Sequence, residues 1–219
     1  MRKLLLLRPE PGLSASAARA RALGLEVVTC PLFQVGPVAW DAPDPGSFDA
    51  LLLTSANALR PGGPRLDQLT ALPLQAIGSA PADAALDAGF RVETVGDSDI
   101  SGLLDKLPSG LRLLHLAGED HCDTGDPRIE RGIVYRSKAI ADPGLPPLQG
   151  LVAAVHSPRA GKRMAELAES RSATAIAAMS RAAADACGSG WERVEAAERP
   201  NDNSLLALAA SLCHTSSPQ

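Results

Sequence analysis

With 219 residues, 45% hydrophobic and only 3% aromatic, the chain has room for one large domain or two small ones, with cores built from Leu, Ala and Val. A net charge of −4 speaks against a broad nucleic-acid surface and leaves room only for a local basic cleft. Four consecutive leucines before Arg8 are too few for a membrane helix and lack the cleavage pattern of a signal peptide. No membrane association is therefore expected.

Lys3 to Leu7 reads as a buried strand ending in Arg8-Pro9. Ser14 to Leu23 is alanine-rich and helical in pattern, stopped by Gly24, and Leu25 to Cys30 is a second strand closing a β-α-β unit. Pro31 to Pro45 carries several prolines and no helical period, so it reads as a linker. Phe48 to Leu107 is expected to run strand, helix, strand, helix, strand, helix, with Gly78, Gly89 and Gly96 at the joints. Leu111 to Leu116 is another buried strand, ending at Gly118-Glu119-Asp120. Gly132 to Ala141 is extended and more polar, a second linker, after which Leu151 to Leu212 repeats the alternation and a polar tail follows from His214.

Three motifs recur in the same order about one hundred residues apart, which marks an internal duplication. The strand and turn of Phe48 to Asn57 return as Leu151 to Ser157. Ala76-Ile77-Gly78-Ser79 returns as Ala178-Met179-Ser180-Arg181, and Ile100 to Leu107 as Asn203 to Leu212. Strands alternating with helices imply an α/β class with doubly wound parallel sheets. The first β-α-β unit is too small to stand alone, and the last segment lacks strands to match. The economical organisation is a discontinuous domain of residues 1–34 and 141–219, with a second domain, 41–132, inserted through linker strands 35–40 and 133–140. Two linkers running together would form a hinge below a cleft.

In such sheets ligands bind beyond the carboxyl ends of strands, where helix amino ends collect anions. Thr54, Ser55, Asn57, Gly78, Ser79, Ser101, Gly118, Ser157, Ser180 and Asn203-Ser204 fall at such turns. Each by itself reads as a plain helix cap; together they suit a ligand with many carboxylates or phosphates. No turn matches GxxxxGK[ST] or GxGxxG, so a nucleotide is not indicated. Arg8 fits a ligand-pairing guanidinium and a structural arginine equally. Arg159, Lys162 and Arg163 follow the Ser157 turn, and for the last two a solvated helix face is the plainer reading. Tyr135, the only tyrosine, lies in the returning linker and fits a packing residue or a proton donor. His156 reads as solvent-facing or capping. The four cysteines (Cys30, Cys122, Cys187, Cys213) have no paired spacing, and His121-Cys122-Asp123 lacks a second ligand pair, so neither a metal nor a disulfide framework is indicated and a reducing cytoplasm is the simplest setting.

The leading strand with Arg8-Pro9, FDALLLTSANA, AIGSAPADAALDAGF with VGDSDISGLL, LLHLAGED, VYRS at Val134 to Ser137, and VHSPRAG resemble, in that order, the uroporphyrinogen-III synthase family. The resemblance implies two flavodoxin-like lobes joined by a two-stranded linker. It also implies closure of hydroxymethylbilane, a linear tetrapyrrole polycarboxylate, with inversion of ring D and loss of water, without a cofactor. By position it makes Tyr135 the residue assisting departure of the hydroxyl, and Ser55, Gly78, Ser79 and Ser157 substrate contacts. Three positions depart from the family pattern. Met179-Ser180-Arg181-Ala182 stands for Gly-Pro-x-Thr, His156 stands where Thr or Ser is common, and His121 stands where Arg is frequent. A non-catalytic two-lobed binder of an anionic small molecule, and a degenerate paralogue of the synthase, are the alternative readings. No long apolar stripe demands a partner chain, so a monomer is expected.

Overall fold

The computed structural model describes residues 1–59, 63–96, 100–120 and 124–215. In chain order the strands are β1 (Lys3–Leu6), β2 (Val27–Thr29), β3 (Phe33–Pro37), β4 (Ala50–Leu53), β5 (Leu74–Ile77), β6 (Val92–Gly96), β7 (Leu113–Gly118), β8 (Ile129–Ala139), β9 (Leu151–Val155), β10 (Ala175–Ala178) and β11 (Arg193–Ala196). The helices are α1 (Gly12–Ala22), α2 (Ser79–Asp87), α3 (Ile100–Leu104), α4 (Pro158–Leu167), α5 (Arg181–Ala186) and α6 (Asp202–His214). The chain divides into two compact units, Met1–Gln34 with Ala139–Gln219, and Val35–Lys138.

In the first unit the sheet order is β11-β10-β9-β1-β2, every pair parallel. Its central strands are apolar on both faces because helices cover both. Leu5, Leu7, Ala153, Val155 and Ile176 pack with Ala160, Met164 and Ala183 on one side. Leu4, Leu6, Val152, Ala154, Ala175 and Ala177 pack with Leu13, Ala17, Leu205, Leu206 and Ala209 on the other. Each fully buried leucine contributes about 1.5–3 kcal/mol, so β1 alone is a substantial part of the core. The alanines of β10 and α5 keep the second half thin and let helices approach closely.

The second unit's sheet order is β3-β8-β7-β4-β5-β6. β4 to β8 run parallel. β3 runs against β8, as the bonds Val38 N–H to Val134 O and Ile140 N–H to Leu32 O require. The linker stretch after Pro31 thus contributes a strand: Phe33–Pro37 alternates side chains without a helical period, and its prolines stand at the margin of the sheet, where a missing N–H does no harm. One face packs Leu51, Leu53, Leu74, Ala76, Leu114 and Leu116 against Leu59, Leu66, Leu69, Ala82 and Phe90. The other also buries Gln75 and His115, each 2% exposed.

An α-helix is expected after Ser55 from sequence; the structure has short 3-10 segments, Ala56–Ala58 and Gly63–Leu69, instead. Pro61-Gly62-Gly63-Pro64 explains the difference, since two prolines and two glycines within four residues cannot sustain the i→i−4 ladder. The helix expected to reach Leu107 stops at Leu104, with turns from Asp105 onward.

The duplication has a topological counterpart. Read from β9, the first unit runs β9, β10, β11, β1, β2; the second runs β4, β5, β6, β7, β8. In both, the spatial order is third, second, first, fourth, fifth. The matched turns Gly78 and Ser180 are the N-caps of α2 and α5.

Close packing of α4 on α5 depends on Gly161, where a Cβ would stand 2.9 Å from both Ala183 O and Cys187 Sγ. Gly161→Ala is therefore expected to destabilise the protein by about 1–3 kcal/mol, because neither the carbonyl nor the buried sulfur can retreat. Chemical denaturation measures this; an unchanged midpoint would mean that the helix pair is free to separate.

Candidate functional site

Parallel strands end at one edge of a sheet, so each unit gathers the turns singled out above along one rim. In the second unit that rim carries Tyr135, Gly118, Thr54-Ser55-Asn57 and Gly78-Ser79, in the order of the strands β8, β7, β4 and β5. Ser101 lies in the first turn of α3, exposed, after β6. The first unit gathers Arg8 after β1, His156-Ser157 after β9 and Met179-Ser180 after β10.

Several of these residues serve their own turns. Ser55 Oγ accepts from Asn57 N–H at 3.2 Å. Ser157 Oγ accepts from Ala160 N–H and Ser180 Oγ from Ala183 N–H, both at 3.2 Å, capping α4 and α5. Asn201, not Asn203 or Ser204, caps α6 by accepting from Ser204 N–H at 2.9 Å. The amino end of α2 differs: Gly78, at φ +89°, supplies no side-chain cap, so first-turn N–H groups face outward beside Ser79. Thr54 Oγ1 lies 3.0 Å from Nε2 of buried His115.

Tyr135 belongs to β8 and stands opposite Gly118, just past an irregularity in the β7–β8 register. Glu119 N–H donates to Tyr135 O at 3.0 Å, which fixes the backbone there. The ring packs against the apolar core of its unit, and Arg136 follows it, 3.9 Å from the Glu119 carboxylate. The phenol oxygen has no hydrogen-bond partner among the described residues.

In the first unit a partly buried ion network occupies the rim. Asp202 Oδ1 accepts from Arg8 Nη1 at 3.1 Å, Ser16 Oγ at 2.8 Å and His156 Nε2 at 2.9 Å. Its Oδ2 accepts from Arg19 Nε at 3.0 Å and Nη2 at 2.6 Å. Arg8 also donates to Ser16 Oγ at 3.0 Å and lies over Gly12, where a Cβ would meet its guanidinium at 2.5 Å. Burial pushes the Asp202 carboxyl up, but the hydrogen bonds from His156, Arg19 and Ser16 outweigh it and hold it well below the usual carboxylate range. Burial, the largest influence, pushes the His156 imidazole below its ordinary value; the Asp202 hydrogen bond opposes this and the Arg8 charge adds to it. His156 is therefore a neutral donor to a carboxylate. It is not the solvent-facing or capping residue expected from sequence, because the helix starting at Asp202 covers it.

Asp202, Ser16 and Arg19 were not legible as partners. The one signal was an acid immediately before the helix start expected at Asn203-Ser204, a common stabilising placement. Arg163, expected on a solvated face, donates to Ile140 O and Ala141 O, both at 3.0 Å. Arg159 lies 4.5 Å from the Phe33 ring centroid. Burial pushes the Cys187 and Cys213 thiols up to about 11 and Cys30 upward, so these remain protonated at neutral pH and are poor nucleophiles. His121-Cys122-Asp123 lies outside the described residues; among those described, no three His, Cys, Asp or Glu gather as metal ligands, and no helix is long and apolar enough to cross a membrane.

The profile of the family described as Uroporphyrinogen-III synthase HemD matches residues 14–207. The chain is similar to the crystal structure of uroporphyrinogen-III synthetase from Helicobacter pylori 26695, with a TM-score of 0.68 and 19% identity, over 97% of this chain and 100% of that one. It is also similar to a mutant uroporphyrinogen III synthase from the extremely thermophilic bacterium Thermus thermophilus, with a TM-score of 0.54 and 18% identity, over 96% of this chain and 98% of that one. At such identities the likeness is one of fold: α/β with parallel sheets. No curated protein matches the chain.

Asp202→Asn is expected to lower stability at neutral pH by about 3 kcal/mol, because two guanidinium groups lose their counter-charge in a half-buried site. In the native protein both His156 and Asp202 titrate below their unfolded values. The unfolded chain therefore binds more protons in acid, and stability falls with falling pH, first below about 6.5 through His156 and then below about 4 through Asp202. Denaturation at stepped pH checks this; equal stability at pH 7.5 and 5 would rule out a buried neutral His156.

Proposed function

The chain belongs to the uroporphyrinogen-III synthase family, a family of tetrapyrrole synthesis, and from that premise we propose that it closes hydroxymethylbilane with inversion of ring D, as a hydro-lyase working as a monomer in the cytoplasm. The observation that carries the reading is the family match across residues 14–207.

The reaction loses one water and is redox-neutral, so it calls for no redox cofactor. The C–O bond of the terminal hydroxymethyl group breaks, and the Tyr135 phenol donates toward the departing oxygen, leaving an azafulvene cation. The substituted carbon of ring D attacks that cation, giving a spiro intermediate that fragments, recloses and releases a proton as the type III macrocycle. Unaided closure gives the type I isomer, so the main task is orientation, with stabilisation of the developing charge second.

Eight substrate carboxylates need donors, and the rims are suited to supply them. The outward N–H groups at the start of α2 make Gly78 and Ser79 an anion contact. A serine that accepts from its own helix keeps its hydroxyl hydrogen, so Ser55, Ser157 and Ser180 can cap and still donate to a carboxylate. We assign Thr54, Asn57 and Ser101 to the same surface, and Gly118 to it through the Tyr135 ring that lies over it. Arg8 is assigned to the same surface in a reduced role, since Asp202 already neutralises much of its charge.

We further take residues 1–34 with 141–219, and 41–132, as two flavodoxin-like lobes joined by strands 35–40 and 133–140. In support, the strands of the first unit, numbered within it, lie in the order 2-1-3-4-5.

Purified protein given freshly made hydroxymethylbilane should yield type III product in excess over an enzyme-free control, after oxidation and chromatographic separation; type I alone would reject the reading. Tyr135→Phe should lower kcat by roughly a hundredfold with the fold intact, the low end of what proton transfer supplies. A bulky Ser55→Leu should raise KM, and an unaltered KM would remove that turn from the substrate surface.

A further inference from the structure

We propose that Gly118 is a positioning residue for Tyr135: the missing side chain at the end of β7 is the seat on which the phenol ring lies. The inference rests on the assignment of Tyr135 to departure of the hydroxyl. A Cβ at Gly118 would stand 2.6 Å from Cζ, 2.8 Å from Cε2 and 3.0 Å from the hydroxyl oxygen of Tyr135. Real Cβ atoms essentially never come within 3.0 Å of another heavy atom, so any other residue here displaces the reactive end of the ring and not merely its stem.

Backbone conformation does not explain this glycine. Gly118 is absent from the glycines with positive φ, so an L-residue could hold its dihedrals. It closes a strand buried at every position and is paired with Tyr135 across the ladder. A side chain in a strand interior normally packs against its cross-strand neighbour, and removing it weakens the strand. What replaces that contact is the face of the ring itself. The Tyr135 backbone is held by Glu119 N–H, so the chain at Tyr135 cannot shift to make room, and a new methyl must be relieved by rotating the ring. Gly118 thus bears on catalysis through where the phenol oxygen sits, without contacting the reacting atoms.

The composition makes the idea testable, because Tyr135 is the only tyrosine. The fluorine resonance of 3-fluorotyrosine reports on this ring alone. Gly118→Ala should lower kcat by about tenfold at nearly constant KM, and move that resonance. Added to Tyr135→Phe, the same substitution should lower kcat less than twofold further, since the group it displaces is gone. Equal losses in the two backgrounds, or an unmoved resonance, would overturn the inference and leave Gly118 a packing residue. If Tyr135→Phe alone leaves kcat unchanged, the assignment of Tyr135 fails instead, while the resonance still reads whether the ring is seated on Gly118. Should Gly118→Ala not fold, 3-fluorotyrosine in the native protein decides by fluorine NMR. A resonance displaced from its unfolded position supports a seated ring, and one coincident with it overturns the seat.

Discussion

Everything at the candidate site depends on strand direction. β11, β10, β9, β1 and β2 run one way in the first unit, and β4 to β8 run one way in the second. A parallel sheet brings every strand's carboxyl end and the following helix's amino end to the same edge, so polar turns scattered through the sequence become neighbours. It also confines the rest of each strand to the interior, because helices cover both faces. That is why Leu4 to Leu7 and Leu51 to Leu53 are wholly buried while Arg8 and Thr54, one residue further on, are not.

The two units use equivalent edges differently. In the first, the rim is largely self-satisfied. Three helices are capped by Ser157, Ser180 and Asn201, and Asp202 ties Arg8, Arg19, Ser16 and His156 into one carboxylate cradle. Such a network rigidifies the ends of β1 and β9, since every donor is fixed by another element. In the second, Gly78 leaves α2 without a side-chain cap, and Tyr135 presents a phenol with no partner among the described residues. The two edges thus share a topology and differ in chemistry: one is tied together by side chains, and the other leaves a helix start without a side-chain cap.

Small residues mark where backbone or ring must come close. Gly161 admits the carbonyl of Ala183, Gly12 admits the Arg8 guanidinium, and Gly118 admits the ring of Tyr135. At Gly161 the neighbour is backbone and a buried sulfur, so an added methyl is not absorbed by relaxation, whereas at Gly12 and Gly118 it displaces the end of a side chain.

Whatever depends on local composition and order was legible in the linear chain. Apolar runs such as Ala50–Leu53 read as buried parallel strands, the repeated motifs implied a duplicated α/β chain, and the series from FDALLLTSANA to VHSPRAG pointed to the family. The turns at which Ser55, Gly78, Ser157 and Ser180 stand could also be named, because a cap or a strand end is specified by its immediate neighbours. Which distant groups meet emerged on folding alone. His156 reads as exposed until Asp202, 46 residues away, is folded over it, and Arg8 reads as available until the same carboxylate, 194 residues away, claims it. The 3-10 segments after Ser55 belong in the same class. Burial, charge and steric contact are properties of pairs that the chain brings together, and a linear pattern records each partner without recording the pair.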